Sequence, residues 1–451
     1  MLLRFGTDGV RGQANTELTA EFAVLLGRAS AVILSRGQWL IGWDTRMSSE
    51  MLAGAFCAGV ASAGGNITAL GETPTAAVAM SCRKREMPGA MITASHNSFE
   101  DNGIKIFGPD GVKLPEDVER DIEALMQAGG GPVSSGTVGR IRWQSPKQLR
   151  EEHTNWLVER AAAIDARGLR IALDCANGAA FKVAPMVTKA TGATVTPLAC
   201  DPDGSNINLN CGSTYLNTLK GEVIQHGLDF GLALDGDADR LLAVDARGKK
   251  IDGDEIIAIL AHHLMKHSTL ARRGVVVTSW SNRGLIKSLQ DAGMEVKVCN
   301  VGDKFVAEAM RQTGFVLGGE QSGHIIMSDL LPVGDGVSTA IELIAAVVEA
   351  GRPLGEVAAR SMRKFPQLQK NITVTSSPAL VVSELEEERK VISSSLGKSG
   401  RLVLRPSGTE LVVRVMAEAE DAARLPAAIG RMEKRLKPYS KQAAGRAAGE
   451  G

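Results

Sequence analysis

Net charge is the first thing this 451-residue chain lacks. Lys+Arg and Asp+Glu both total 51, so the formal charge is zero. That argues against a surface that tracks nucleic-acid phosphates or binds an anionic membrane, and leaves charge to act only within a pocket. Cysteine motifs are missing too. Cys57, Cys82, Cys175, Cys200, Cys211 and Cys299 are scattered, and none forms Cys-x-x-Cys. Several lie in apolar runs, which fits buried free thiols in a reducing compartment and fits neither a disulfide frame nor a zinc site. No long apolar core follows Met1, so no signal peptide is expected, and the apolar stretch 22–34 is broken by Arg28 and reads as a buried helix. A cytoplasmic protein is the expectation. A Walker loop is also absent, because Ile392 stands where the first Gly before Gly397-Lys398-Ser399 is required. That disfavours a nucleotide kinase.

What is present is an ordinary globular composition, 44% hydrophobic, with chain enough for about two to four domains. One arrangement recurs. A strand at 39–43 leads through Asp44-Thr45-Arg46 to a helix that Ser48 can cap and that runs to about Ala63; Gly64-Gly65 ends it, and a second strand starts at Ile67. The same order returns as strand 170–174, a loop at Asn177-Gly178, a helix to Thr191, Gly192 and strand 194–198. It returns again as strand 275–278, a loop at Ser281-Asn282, a helix to Ala292, Gly293 and strand 295–299. Three α/β domains of one topology with unequal insertions produce this pattern.

Each copy then presents one unusual polar loop after a further strand. In the first, strand 88–92 ends at Thr93-Ala94-Ser95-His96-Asn97, a turn is expected over 100–103, and strand 104–107 follows. In the second, strand 228–234 ends at Asp235-Gly236-Asp237-Ala238-Asp239-Arg240. In the third, strand 315–317 ends at Gly318-Gly319-Glu320-Gln321-Ser322-Gly323-His324. Because α/β sheets bind ligands at strand carboxyl ends, the three loops can share one cleft. After Pro366 the pattern changes. A strand at 372–376, a charged helix at 383–396 and a hairpin-like pair at 401–405 and 412–417 point to a smaller α+β domain, and the Ala/Gly/Lys-rich stretch from Lys437 onward reads as a disordered tail.

The loops carry chemistry. Ser95 can act as a nucleophile or phosphate carrier if a neighbour handles the proton and a cation handles the charge; a polar turn that only bonds its own backbone is the competing account. Asp235, Asp237 and Asp239 repel one another unless a cation holds them, and all-carboxylate ligation suits a hard ion such as Mg²⁺. An EF-hand fails, with Arg240 at its Gly position and Ala246 at its bidentate Glu position. A haloacid-dehalogenase-type phosphatase also fits poorly, since the Asp-x-Asp motif is followed by Asp239 or Leu241 rather than Thr or Val. Glu320 and Ser322 suit sugar hydroxyls. Arg405-Pro406-Ser407-Gly408-Thr409-Glu410 offers a guanidinium, hydroxyls and backbone N–H groups of the kind that nest phosphate, and Arg414 adds charge. Gly6-Thr7-Asp8-Gly9-Val10-Arg11-Gly12 is a further small polar loop.

Together, and in this order, these loops resemble the α-D-phosphohexomutase superfamily over nearly the whole chain except the tail. Loop 5–12, Asn206-Ile207-Asn208, Cys211-Gly212-Ser213-Thr214 and the Gln321 of loop 319–324 resemble the branch that handles glucosamine phosphates; related phosphomannomutase/phosphoglucomutases usually carry another residue at that Gln. The resemblance implies three related α/β domains around a central cleft plus a C-terminal α+β domain like the TATA-binding protein. Domain 1 would span 1–152 with the serine loop, domain 2 153–254 with the metal loop, domain 3 255–367 with the sugar loop and domain 4 368–437 with the phosphate loop, leaving a tail at 438–451.

It further implies that Ser95 is phosphorylated in the active enzyme and that Mg²⁺ is held by phospho-Ser95, Asp235, Asp237 and Asp239. Ser95, His96, Lys105 and Arg240 would be catalytic, with His96 and Lys105 the candidates for the proton acceptor. Thr7, Arg11, Glu320, Ser322, His324, Arg405, Ser407, Gly408, Thr409 and Arg414 would bind substrate. The expected reaction interconverts glucosamine 6-phosphate and glucosamine 1-phosphate, with glucosamine or glucose 1,6-bisphosphate as intermediate or activator. The partner is a small phosphosugar, with no nucleic acid and no membrane, and a homodimer is compatible. Another hexose phosphate as substrate, a metal-dependent sugar phosphatase, and an inactive sugar-phosphate binding protein are the alternatives. Ser98, Leu411 and Tyr215-Leu216 stand where the family commonly has Pro, Pro and His-Pro, which puts loop rigidity in question.

Overall fold

The computed structural model describes residues 3–132, 136–397, 399–407 and 411–440. Among them, two compact units separate: Met1–Ser281 with Leu289–Ser361, and Asn282–Ser288 with Met362–Gly451.

The first unit holds three sheets. Strands β1 (Val10–Gln13), β2 (Gln38–Trp43), β3 (Asn66–Glu72), β4 (Gly89–Ile92), β5 (Asp101–Phe107) and β6 (Ile141–Arg142) lie in the order β1-β5-β4-β2-β3-β6. Strands β7 (Arg170–Asp174), β8 (Thr194–Leu198), β9 (Phe230–Leu234), β10 (Leu241–Asp245) and β11 (Lys250–Ile251) lie in the order β11-β10-β9-β7-β8. Strands β12 (Gly274–Thr278), β13 (Glu295–Cys299), β14 (Leu317–Gly319) and β15 (Ile325–Met327) lie in the order β13-β12-β14-β15. The repeat read from the sequence is here in full. Each sheet contains three parallel strands and a fourth antiparallel one: β3-β2-β4-β5, β8-β7-β9-β10 and β13-β12-β14-β15. The three polar loops are the three equivalent connections from the last parallel strand to the antiparallel one.

The central parallel strands β2, β4, β7, β9 and β12 are near-continuous buried runs, whereas the parallel edge strands β8 and β13 are partly exposed. Trp39, Ile41, Leu52, Phe56, Ile67 and Ile92 are buried in one core of the first domain. Its tightest element is the pair of helices Ala20–Ile33 and Ser49–Ser62. Their backbones meet at Gly27 and Gly59: a Cβ on Gly27 would run into the Phe56 carbonyl, and one on Gly59 into the Val24 carbonyl. Glycine costs helix stability at both places, and close approach is what it gains.

The second unit is the antiparallel sheet β16 (Gln367–Thr373), β17 (Arg401–Pro406), β18 (Val412–Glu418), in the order β16-β18-β17, packed on helices Pro378–Glu384, Glu386–Ser394 and Leu425–Leu436 around Val381, Leu402, Val415, Ile429 and Met432.

Several local expectations are corrected. The turn expected over 100–103 is confined to the residues before Asp101. Asn102 and Gly103 are strand, because β1 offers them partners in Gly12 and Arg11. Ser48 does not cap its helix with its side chain: its backbone is already helical, and its hydroxyl accepts from Asn102 Nδ2 at 2.9 Å. The strand read at 372–376 begins at Gln367 and ends at Thr373, the stretch that β18 can pair. The charged helix read at 383–396 starts at Pro378 and breaks at Leu385, whose backbone leaves the helical region. Cys200 and Cys299 are only half-buried. The tail starts later than 437: Lys437–Tyr439 form a 3₁₀ turn, and the Tyr439 carbonyl accepts from Thr375 N at 2.7 Å. Residues 441–451 lie outside the described residues.

Asp174, at the end of β7, is fully buried and accepts from the backbone N–H groups of Ala176 (2.9 Å) and Gly212 (2.8 Å). Burial pushes its carboxyl up to about 6, against the pull of those two donors. The folded state therefore holds this proton more tightly than the unfolded chain does. The contribution is favourable at low pH and is lost as pH rises from about 4 to about 6, amounting to about 3 kcal/mol. Asp174→Asn is expected to shrink the difference in stability between about pH 4 and about pH 7 by that order, measured by urea unfolding; an unchanged difference refutes the assignment. Gly27→Ala and Gly59→Ala test the helix contact by sign. Helix propensity alone favours Ala by about 1 kcal/mol, whereas the carbonyl clash predicts a loss of about 1–3 kcal/mol in the same unfolding measurement.

Candidate active site

The serine loop leaves β4 at Thr93, whose Oγ1 donates to Asp44 Oδ2 (2.7 Å) and accepts from Ser95 N (2.9 Å). Ser95 is fully buried with φ +53°, a left-handed conformation that a non-glycine residue adopts only when its surroundings impose it. What imposes it is Arg46. Its guanidinium is buried on Asp44 (2.9 Å) and donates to the carbonyls of Ser95 (3.0 Å), Asn97 (2.9 Å), Asp101 (3.0 Å) and Ser98. Asn208 Nδ2 adds a donor to the Ser95 and Asn97 carbonyls, at 2.9 Å each. The loop is thus fixed through its carbonyls, so the absence of a proline ring at Ser98 does not leave it slack.

The β9–β10 connection brings three carboxylates to the serine. Ser95 Oγ donates to Asp235 Oδ2 at 2.6 Å, and His96 Nδ1 lies 3.3 Å from Ser95 Oγ. One carboxylate oxygen each of Asp235, Asp237 and Asp239 lie within 4.8 Å of one another, all buried. Lys105, also fully buried, reaches Asp237 Oδ2 and Asp239 Oδ2 at 2.8 Å each and Asp8 Oδ1 at 3.2 Å. Arg240 Nε sits 3.9 Å from Asp235 and 3.8 Å from Asp239.

Burial, then the Asp239 and Asp237 charges, push the Asp235 carboxyl up to about 8, and burial raises Asp237 as well. For Asp239, burial is outweighed by Lys105 and His324, which hold it well below the usual carboxylate range. Asp237 Oδ1 and Asp239 Oδ1 are buried without a hydrogen-bond partner among the described residues. Buried carboxylate oxygens without a partner, in a triad whose Asp235 carboxyl is pushed up by burial and by its neighbours' charges, are what a hard divalent cation would relieve. The residues present fit Mg²⁺.

Burial lowers the Lys105 ammonium, but Asp237, Asp239 and Asp8 outweigh it and raise it well above its ordinary value. Lys105 is thus held as a cation on the three carboxylates. His96 goes the other way: burial, then Arg240 and Arg11, push it down to about 3, so it is neutral.

The β14–β15 connection packs on the Asp loop. Leu241 N donates to the Gly323 carbonyl at 3.0 Å, and Arg240 bridges His324. His324 is buried with Nδ1 3.5 Å from Asp239 and Nε2 3.6 Å from Asp303. Glu320 Oε1 accepts from Gly302 N at 2.9 Å, and Ser322 Oγ is buried without a hydrogen-bond partner among the described residues. From the first loop, Thr7 stands beside Gly302, and Arg11 pairs with Asp8 and reaches Asn97 Oδ1 at 3.4 Å. A cleft of about 1130 Å³ borders the Asp loop at Asp239 and His324 and is also lined by Lys113, Asp303, Phe107, Leu114 and Phe305; Ser95, Glu320 and Ser322 do not line it.

In the second unit, Arg405 of β17 stands opposite Arg414 of β18. Like charges directly across a sheet are unfavourable unless an anion joins them. Ser407 N donates to the Val412 carbonyl at 2.9 Å, and Gly408 and Thr409 lie outside the described residues.

Sequence reasoning gave no role to Arg46, Asn208, Lys113 and Asp303. Lys113 pairs with both Asp8 and Asp303, joining the first and third repeats. Arg46 and Asn208 left signals, since Asp44-Thr45-Arg46 occupies the loop at a strand carboxyl end in the first repeat and Asn208 lies in the Asn206-Ile207-Asn208 motif. Lys113 and Asp303 have no local pattern, because their partners are distant in sequence.

A hydroxyl seated on a buried carboxylate triad, ringed by cations and repeated-domain loops, defines an intramolecular phosphotransferase, an isomerase. The chain belongs to the phosphoglucomutase/phosphomannomutase family: models of its alpha/beta/alpha domains I, II and III match residues 2–130, 151–248 and 252–365, and its C-terminal domain matches 357–430. The phosphoglucosamine mutase of Desulforudis audaxviator is 44% identical over 450 residues, 98% of this chain and 99% of that one. That of Gluconacetobacter diazotrophicus is 44% identical over 430 residues, 93% and 94% of the two chains. Among solved structures, a phosphoglucomutase/phosphomannomutase family protein from Burkholderia thailandensis has a TM-score of 0.82 at 21% identity, covering 97% and 98% of the two chains. N-acetylphosphoglucosamine mutase from Aspergillus fumigatus, in complex with GlcNAc-6P and magnesium, has a TM-score of 0.69 at 20% identity, covering 98% and 96%. At these identities the two structures bear on the fold alone.

Arg46→Lys keeps the charge and removes the fork that holds several carbonyls at once. Since each charge-assisted bond is worth about 1.5–3 kcal/mol, kcat/KM on hexose phosphates is expected to fall by about 10–100-fold. Wild-type turnover in this variant would mean that the serine loop is held by something else.

Proposed function

We propose that this chain interconverts glucosamine 6-phosphate and glucosamine 1-phosphate, with Ser95 as the phosphoryl carrier. The observation that carries the proposal is Ser95 Oγ, 2.6 Å from Asp235 Oδ2, on a left-handed turn fixed by Arg46. The 44%-identical relatives named phosphoglucosamine mutase support the choice of sugar.

Phospho-Ser95 gives its phosphoryl group to the free oxygen of the bound sugar phosphate: the bond from phosphorus to Ser95 Oγ breaks and one to the sugar oxygen forms. A 1,6-bisphosphate results, turns over, and returns its other phosphoryl group to Ser95. Positioning and neutralisation of charge carry such a transfer. Asp235, Asp237, Asp239 and phospho-Ser95 would hold Mg²⁺, which supplies positive charge to the transferring phosphoryl oxygens. Arg240 adds charge from the chain itself, and Lys105 keeps the triad compact. His96, beside Ser95 Oγ, and Lys105 are the candidates for taking the proton of the accepting hydroxyl, and for His96 the negative charge of phospho-Ser95 would offset the cations that hold it down. Glu320, Ser322 and His324 contact the sugar, with Thr7 and Arg11 at the same rim. Arg405 and Arg414, with Ser407, Gly408 and Thr409, bind phosphate. The four-domain division with borders near 152, 254 and 367 accompanies this reading, as does a cytoplasmic location; among the described residues no helix is long and apolar enough to cross a membrane.

Ser95→Ala is expected to abolish isomerisation while leaving thermal unfolding unchanged, and intact-mass and peptide mapping of the wild type should place one phosphoryl group on Ser95. Turnover by Ser95→Ala would sink the mechanism. Rates on glucosamine, glucose and mannose phosphates decide the sugar: a preference for glucose or mannose moves the assignment to a phosphoglucomutase/phosphomannomutase activity, and release of free phosphate without isomerisation moves it to a phosphatase.

A further inference from the structure

A second convergence of metal-ligating side chains lies away from the serine loop. His263 and His267 stand one turn apart at the end of the Gly253–Lys266 helix, and Glu349 is in the last turn of the Gly336–Ala350 helix. His263 Nδ1 is 2.8 Å and His267 Nε2 2.9 Å from the same oxygen, Glu349 Oε2. The ligand atoms of all three residues lie within 4.8 Å of one another. The imidazoles meet edge-on, at 4.8 Å between centroids and 63° between planes, so their nitrogens converge rather than stack. His267 is itself the C-cap of its helix, and Gly351 that of the other. Two helix C-termini thus meet here, and the negative ends of both dipoles favour a cation.

We propose that His263, His267 and Glu349 form a binding site for a borderline divalent transition ion, Zn²⁺ being the natural occupant. Two imidazoles and one carboxylate are the donor set such an ion takes, with a fourth position left to water. Mg²⁺ is poorly served by two nitrogen ligands, so this site and the Asp loop select different ions. The ion takes the place now filled by the hydrogen bonds to Glu349 Oε2. Lys266 Nζ, 2.5 Å from Glu349 Oε1, holds the carboxylate in position and opposes the ion's charge.

The site staples two helices whose other ends serve the catalytic loops. Gly253 N, at the start of the first, donates to the Gln321 carbonyl of the sugar loop at 3.1 Å; Gly336 N, at the start of the second, donates to the Ala238 carbonyl of the Asp loop at 2.8 Å. Each helix spans roughly 20 Å at 1.5 Å per residue, so the ion sits far from the chemistry but on the frame that carries it.

The test is Zn²⁺ binding by equilibrium dialysis on the full chain saturated with Mg²⁺, for wild type, His267→Ala and Lys266→Ala. Wild type should bind one equivalent and gain thermal stability. His267→Ala should bind at least about tenfold more weakly, show no thermal gain, and keep the Mg²⁺-supported isomerase rate measured without Zn²⁺. Lys266→Ala should bind more tightly. Equal binding by wild type and His267→Ala, or no binding by wild type, overturns the proposal. So does a thiolate charge-transfer band in the Co²⁺-loaded protein that disappears in Cys200→Ser, which would put the ion on the cysteines.

Discussion

Three carboxylates buried within one another's reach cost free energy in any fold. At about 4 Å and an effective dielectric constant near 20, each like-charge pair is unfavourable by about 4 kcal/mol. Lys105 is the element that makes the arrangement tenable, since its ammonium sits fully buried on Asp237 and Asp239 together. Much of the first unit follows from that pairing. Lys105 is delivered by β5, and β5 and β4 flank the turn that carries Ser95, so the cation and the serine arrive on one hairpin. β1, paired on the other side of β5, brings the loop of Asp8, which pairs with both Lys105 and Lys113. The compensation is incomplete: Asp235 keeps a raised carboxyl, and two carboxylate oxygens stay without a hydrogen-bond partner among the described residues. An excess of negative charge is thereby stored at the place where a divalent cation would act.

Triplication explains why three loops from distant sequence positions meet. The connection between the last parallel strand and the antiparallel one is short in every copy, so each loop projects from the same corner of its sheet. Once three such corners face one another, the copies bond directly: Thr75 N of the first to the Asp237 carbonyl of the second at 3.1 Å, and Leu241 N of the second to the Gly323 carbonyl of the third at 3.0 Å. These are backbone contacts, which tolerate side-chain divergence among the copies. The same architecture can therefore carry a serine in one copy, an Asp triad in the second and Glu320, Ser322 and His324 in the third.

Most of the strands were legible in the sequence because buried parallel strands are short apolar runs bounded by polar loops, as at β7, β9 and β12, and the edge strands β8 and β13 alternate after a Gly that ends the preceding helix. Boundaries failed where a tertiary partner overrode local chemistry. Asn102-Gly103 has turn composition, yet β1 recruits it into a strand; Ser48 has cap chemistry, yet its hydroxyl is used by Asn102. The residue types that hold charge or phosphate were visible as motifs. The residues that hold those motifs in place were not, since Arg46 and Asn208 act on carbonyls of loops far along the chain, and a carbonyl carries no sequence signature.

By itself, then, the sequence determined the repeated α/β plan and the places and residue types of its three polar loops, because hydrophobic period, turn residues and donor types are local properties. Only the tertiary structure decided that Lys105 is buried on three carboxylates, that His96 lies beside Ser95 Oγ, and that Ser95 is held left-handed by a guanidinium from another loop. Those outcomes depend on burial and on distances between segments, and a charge or a backbone angle is settled by its neighbours in space.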